Sequence, residues 1–217
     1  MSARSVERGE KALAEVRSRN PIGTLSFLQL DITSDASINA AAEALSEPFG
    51  VIDVLINNAG IATSAPLSRQ TLATTFDTNL YGAVLLTHAL EPLLQRSKDP
   101  YIINVTSGLG SVAKRLDHSY AFTETTANEY RMSKAALNMF TATLSWEYKD
   151  WEVQPKVFAY CPGFVITNLS GEEDRENRRN QGAESPETSA QGILGIVNGS
   201  RDGDSHHMIN RDESIPW

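Results

Sequence analysis

Apolar positions along this chain follow two rhythms. Short runs at Leu25 to Leu30 (LSFLQL), Val51 to Ile56 (VIDVLI), Tyr101 to Val105 and Lys156 to Cys161 read as strands. Longer stretches between them repeat their apolar positions every three or four residues. One such helix starts at the capping Ser5 and runs to about Asn20, with Ala12, Leu13 and Val16 inward. A second is capped near Thr33 or Ser34 and ends about Pro48. A third spans roughly Leu72 to Leu94 on a stripe of Phe76, Leu80, Ala83, Val84, Leu90 and Leu94. A fourth covers Asn128 to Tyr148, and Ser185-Pro186 opens a fifth that reaches about Asn198. His206 to Asn210 suits a last strand. Only Met1 to Arg4 precede the first helix, too few for a strand of their own. Ser170 to Glu184 is the most polar stretch and reads as a mobile loop.

Strands alternating with helices predict a parallel sheet with helices on both faces, an open α/β domain. With 217 residues, 23.7 kDa and 41% hydrophobic content, a single domain spanning 1–217 can bury a sizeable core. A net charge of −8 argues against nucleic acid as a partner. No run is apolar enough to span a membrane, and the charged first 20 residues lack the core of a secretion signal. These features predict a cytoplasmic protein. One cysteine, Cys161, excludes an internal disulfide and a cysteine-rich metal site.

The sharpest chemistry lies in NEYRMSKAAL. Tyr130 and Lys134 stand four apart in a helical pattern and share one face. An ammonium beside a phenol lowers the phenol's pKa toward the range where proton transfer is effective. Chance spacing is the competing reading of this pair.

Three more stretches stand in order with it: VLINNAG (Val54 to Gly60), INVTSGLGS (Ile103 to Ser111) and CPGFVIT (Cys161 to Thr167). Together they resemble the short-chain dehydrogenase/reductase family over essentially the whole chain. SARSVERG and FLQLDI look most like its carbonyl-reductase-type members, which prefer NADP. The resemblance implies a Rossmann-type doubly wound parallel sheet and an NADP(H)-dependent enzyme that interconverts a carbonyl and a secondary alcohol. It implies Tyr130 as general acid and base, and Lys134 as the group that lowers the Tyr130 pKa and holds the nicotinamide ribose. Ser107 would bind the substrate carbonyl, with Thr106 as the competing candidate. Asn79 would hold a water behind the lysine; a buried amide satisfied by backbone is the alternative. On the cofactor side it implies Asp31, beside Ile32, near the adenine, Asn58 near the adenine ribose, and Val165 and Thr167 at the carboxamide. Arg4 would receive the 2′-phosphate, unless it is a solvated flanking charge. The partner implied is a small carbonyl or alcohol substrate.

The same resemblance exposes a gap. Family members carry a glycine-rich phosphate turn and two strands ahead of SARSVERG, whereas the glycines here before position 50 are Gly9 and Gly23 alone. The chain therefore reads as an N-terminally truncated member, missing the first two strands. In the order 3-2-1-4-5-6, either the Val51 strand keeps an unpaired edge or the Leu25 strand slides across to it. Weak NADPH binding and self-association are expected. The alternative function is a catalytically impaired remnant that acts as a binding or scaffold protein. The segment Ser111 to Glu129 is expected beside the site, where it and Ser170 to Glu184 would set the substrate. No metal is expected, since the adjacent His206 and His207 face opposite sides of a strand and His118 stands alone in a polar loop.

Overall fold

The computed structural model describes residues 1–217. Two parallel sheets share the strands. The smaller joins β1 (Ser2–Ala3) to β2 (Leu28–Gln29); the larger runs β3 (Val54–Asn57), β4 (Tyr101–Val105), β5 (Lys156–Tyr160), β6 (Met208–Ile209) and β7 (Ser214–Ile215). Only β7 is antiparallel.

Helices flank both faces: α1 (Val6–Arg17), α2 (Asp35–Ser46), α3 (Arg69–Phe76), α4 (Gly82–Leu94), α5 (Val112–Leu116), α6 (Asn128–Glu147), α7 (Asp174–Asn180) and α8 (Pro186–Val197). Their starts follow the capping chemistry. The Ser5 and Ser34 side chains accept backbone N–H groups, and Ser68 and Thr71 form a reciprocal capping box. Alternation along the strands divides the core. Leu55, Ile102 and Val157 pack with Leu90, Leu94, Leu137 and Leu144 on one face. Ile103, Phe158, Tyr160 and Ile209 meet Ile196 of α8 on the other. No helix is long and apolar enough to cross a membrane.

Several expectations need correction. Ser2 and Ala3 do form a strand: the Met1 carbonyl accepts from Leu28 N–H at 2.9 Å and the Ala3 carbonyl from Leu30 N–H at 3.0 Å. The long third helix is split by a π-helical segment, Asp77–Tyr81, that carries Asn79 inward. The polar stretch read as a loop contains α7 and is pinned by a bridge between Val165 and Glu184. Of the two outcomes foreseen for the sheet, the structure shows the first. β2 does not slide across; β3 ends its sheet, and β1 faces it over a gap.

If the outer edge of β3 is open, substitutions will sort by burial. Leu94 is fully buried, so Leu94→Ala should cost about 2–5 kcal/mol in urea unfolding. Ile56 is 41% exposed on the open edge, and Ile56→Lys should stay within about 0.5 kcal/mol. A comparable loss at both positions would show that something covers that edge.

Candidate active site

The first turns of α6 bring Tyr130 and Lys134 against the C-terminal end of β4, and both side chains are buried. Only glycine permits this seating: a Cβ on Gly110 would lie 2.7 Å from the Lys134 carbonyl carbon and 2.8 Å from Ala135 N. Lys134 Nζ donates to the Val105 carbonyl at 2.8 Å and sits 5.8 Å from the centre of the Tyr130 ring. Burial brings the Lys134 pKa down to about 8, with the nearby Cys161 acting in the opposite sense.

Tyr130 departs from the expected direction. Burial pushes its phenol up to about 12, and the neighbouring Ser107 hydroxyl only partly opposes this. In this structure the Lys134 ammonium donates to the Val105 carbonyl, 5.8 Å from the ring centre, and does not offset that burial. The Tyr130 phenol is thus protonated across the neutral range.

The pair of candidates at the turn after β4 separates cleanly. Thr106 is buried, and its hydroxyl donates to Asn138 Oδ1 at 2.5 Å. Ser107 is partly exposed; its Oγ accepts from Leu109 N–H at 3.2 Å, which leaves its own proton for another acceptor. Asn79 is fully buried and well satisfied: Oδ1 accepts from Ile61 N–H at 2.8 Å, while Nδ2 donates to the Ile61 carbonyl and to Ser133 Oγ. Its Oδ1 and Lys134 Nζ each lie 3.5 Å from where a Gly60 Cβ would stand.

The cofactor candidates divide into two groups. Arg4, Asp31 and Asn58, with Ile32, line a cavity of about 590 Å³ between the two sheets. The Asp31 carboxylate accepts from Thr33 N–H and Oγ1, the main reason its pKa is lowered from its ordinary value. Val165 and Thr167 follow the turn after β5. The Val165 carbonyl accepts from Arg178 Nε at 2.8 Å, and Thr167 Oγ1 accepts from Leu169 N–H. Gly60 joins the groups, since it borders the cavity and also approaches Asn79 and Lys134.

Three residues complete the site that spacing could not reveal. Cys161 Sγ accepts from Gly108 N–H at 3.1 Å and holds the Ser107 turn. Arg131 fastens the inserted segment to α6 by donating to the carbonyls of Thr125, Phe122 and Leu109. Arg178 stacks 4.8 Å over Phe164, whose ring meets Phe122 of the inserted segment at 5.9 Å. Phe122, Cys161 and Phe164 wall a second cavity of about 440 Å³. CPGF was the one local signal, marking Cys161 and Phe164. No cluster of three or more His, Cys, Asp or Glu is placed to hold a metal ion.

The sequence and the fold both have counterparts among known proteins. The family model described as short chain dehydrogenase matches residues 1–178. The short-chain dehydrogenase anuI of Penicillium roqueforti is 35% identical over 201 residues, covering 89% of this chain and 75% of its own. The fold superposes on NADPH-bound carbonyl reductase from chicken fatty liver with a TM-score of 0.79 at 28% identity, over 95% of this chain and 82% of that one. The carbonyl reductase Sniffer of D. melanogaster matches the whole chain and 86% of its own, with a TM-score of 0.78 at 23% identity, a likeness of fold. The ordered motifs, the parallel sheet and these matches place the chain in the short-chain dehydrogenase/reductase family of oxidoreductases.

Proposed function

We propose that this chain is an NADPH-dependent oxidoreductase that interconverts a carbonyl and a secondary alcohol. The observation that carries the reading is the convergence of a protonated buried phenol, Tyr130, a serine with a free proton, Ser107, and a buried ammonium, Lys134, at the end of β4. The first cavity would take the adenosine end of the dinucleotide, where Arg4 offers a guanidinium fork and no carboxylate follows it to claim a bare ribose. Lys134, Val165 and Thr167 would hold the nicotinamide end.

When bound, NADPH supplies the hydride. The residues of the chain do the remainder. Ser107 donates a hydrogen bond to the substrate oxygen and stabilises the negative charge that grows there. Tyr130 hands its proton to that same oxygen; in the reverse direction its phenolate takes one back. Lys134 supplies the positive charge that a transient phenolate needs within a buried site. Asn79 fixes Ile61 and Ser133, and the bare Cα of Gly60 keeps a small polar gap between Asn79 and Lys134 that suits a water. The impaired-remnant reading draws on one fact: Gly60 is the sole glycine on the wall of the first cavity, so no glycine-rich turn faces the pyrophosphate.

Tyr130→Phe keeps the ring and removes the proton. It should lower ketone reduction by about 10²–10⁴-fold while NADPH quenching of tryptophan fluorescence persists. Retention of most of the rate would assign the acid elsewhere.

NADPH should support reduction better than NADH, and Arg4→Ala should erase the preference, read as the ratio of kcat/KM values. Equal turnover with NADH in the unaltered protein would remove the 2′-phosphate role of Arg4. An absence of quenching by NADPH would favour the remnant.

Lys134 also makes a stability prediction. Its folded pKa of about 8 lies below its unfolded value, 10.5, so the unfolded chain holds more protons between those limits. Stability therefore rises from about pH 8 toward pH 10, where titration of Tyr130 begins to oppose it. Lys134→Met should lose that rise, gain about 1–3 kcal/mol at pH 7, and lose activity. A variant less stable than the parent at pH 7 would show that the Val105 hydrogen bond outweighs the burial penalty.

A further inference from the structure

The helix α7 is built from DRENRRN, seven residues without an apolar side chain, and none of them is fully buried. So short a helix does not hold itself in water, and it has no apolar stripe with which to dock. Arg175 gives it one exposed contact, to Asn168 Oδ1 at 3.3 Å. The rest of the attachment falls to Arg178. Its Nε donates to the Val165 carbonyl at 2.8 Å, its guanidinium lies 4.8 Å from the centre of the Phe164 ring, and its Nη1 stands 3.8 Å from Asp174 Oδ2 one turn back. The Arg178 side chain is 13% exposed, against 56% for Arg179 beside it, which pairs with Glu176 of the same helix.

Arg178 lands on the turn that follows β5. There Glu184 N–H donates to the Phe164 carbonyl at 2.8 Å, and Ile166 N–H donates to the Glu184 carbonyl at 2.9 Å. In that parallel pairing the N–H and C=O of Val165 turn away from Glu184, and Arg178 takes the carbonyl from the far side. Val165 is thus held from two sides, by backbone and by a guanidinium. The same side chain backs Phe164, which walls the second cavity together with Gln181 and Gly182 just past α7. Burial dominates the raised pKa of Tyr130, and Arg178 joins Ser107 in opposing it, so its charge is felt at the phenol.

We infer that Arg178 is a positioning residue for the nicotinamide end of the site. It latches α7 across the turn after β5 and so fixes the Val165 backbone that would meet the carboxamide. The inference rests on the oxidoreductase reading for the role of Val165, though not for the latch itself. A guanidinium suits the task because its N–H groups donate in the plane while its face stays on an aromatic ring. An ammonium is a compact point charge and cannot serve the carbonyl and the ring in that way.

Endoproteinase Glu-C reads the latch without cofactor, since Glu172, Glu173 and Glu176 are exposed in or beside α7. Arg178→Met keeps an unbranched side chain and removes the fork. It should speed cleavage there about tenfold or more. It should also raise the Kd for NADPH, read by tryptophan quenching, about fivefold or more, with the urea midpoint unchanged. Arg178→Lys should behave like Arg178→Met. Arg179→Met makes the same change of charge on the same helix and should match the parent in both measurements. Cleavage of Arg178→Met at the parental rate, or equal acceleration by Arg179→Met, would overturn the latch. Full rescue by Arg178→Lys would do the same for the guanidinium, since charge alone would then suffice. Faster cleavage with an unchanged Kd would end the positioning role, and a lowered urea midpoint would make Arg178 a general structural residue. A parent that binds no NADPH would remove the oxidoreductase reading, while the cleavage comparison would still decide the latch.

Discussion

Seating α6 on the end of β4 is the contact on which the site depends. The helix arrives carrying an ammonium that must be buried, and the Val105 carbonyl is the partner that makes the burial tolerable. Around it the approach is tightened by backbone alone. Gly110 lies flat on the helix at Lys134, and Thr106 bonds Asn138 one turn further on. Because β4 is held through its full length by β5 and β3, this seating inherits the rigidity of the sheet. Tyr130 and Ser107 are then fixed as by-products, one on the helix and one on the turn it covers. The cost is visible in the pKa values: the same burial that places the two groups disfavours the charged form of each.

Beneath the site a layer of amides and hydroxyls replaces the aliphatic core. Asn57, Thr87, Asn104 and Thr141 form one chain of hydrogen bonds, and Thr106, Asn138 and Met208 form another. Such networks add little net stability but penalise misplacement, because each broken bond strands a buried polar atom. They therefore fix the relative height of β3, β4, α4 and α6 more sharply than leucines could. The candidate site residues stand next to this layer, since Thr106 and Lys134 adjoin it.

Sequence reasoning found what is encoded locally. The shared face of Tyr130 and Lys134 follows from helix period and the capping serines from short-range hydrogen bonding, whereas Ser107 came only through the family resemblance. Most strands were legible because they are buried on both faces and read as plain apolar runs. β1 was invisible: two residues without an apolar run, paired with β2 more than twenty positions away. The π segment was hidden because one extra residue per turn leaves the apolar stripe almost intact. Cys161, Arg131 and Arg178 act through contacts between distant segments, which spacing does not carry. The reversed pKa of Tyr130 has the same origin. Proximity of Lys134 was legible, but its engagement by Val105 and the degree of burial are tertiary facts.

The two ends of the proposed cofactor site are held by unlike forces. Ser107, Tyr130 and Lys134 stand on strands joined by hydrogen bonds in continuous register. Arg4 and Asp31 stand at the ends of a two-stranded sheet that shares no ladder with the rest. That sheet is fastened through α2, whose Ile38 enters the main core, and through Gly82, where a Cβ would meet the Ile32 carbonyl at 2.5 Å. Apolar packing is non-directional and tolerates small slides that a ladder forbids. The end that would read the nucleotide is thus set by side-chain packing, and the end that would move the proton by backbone.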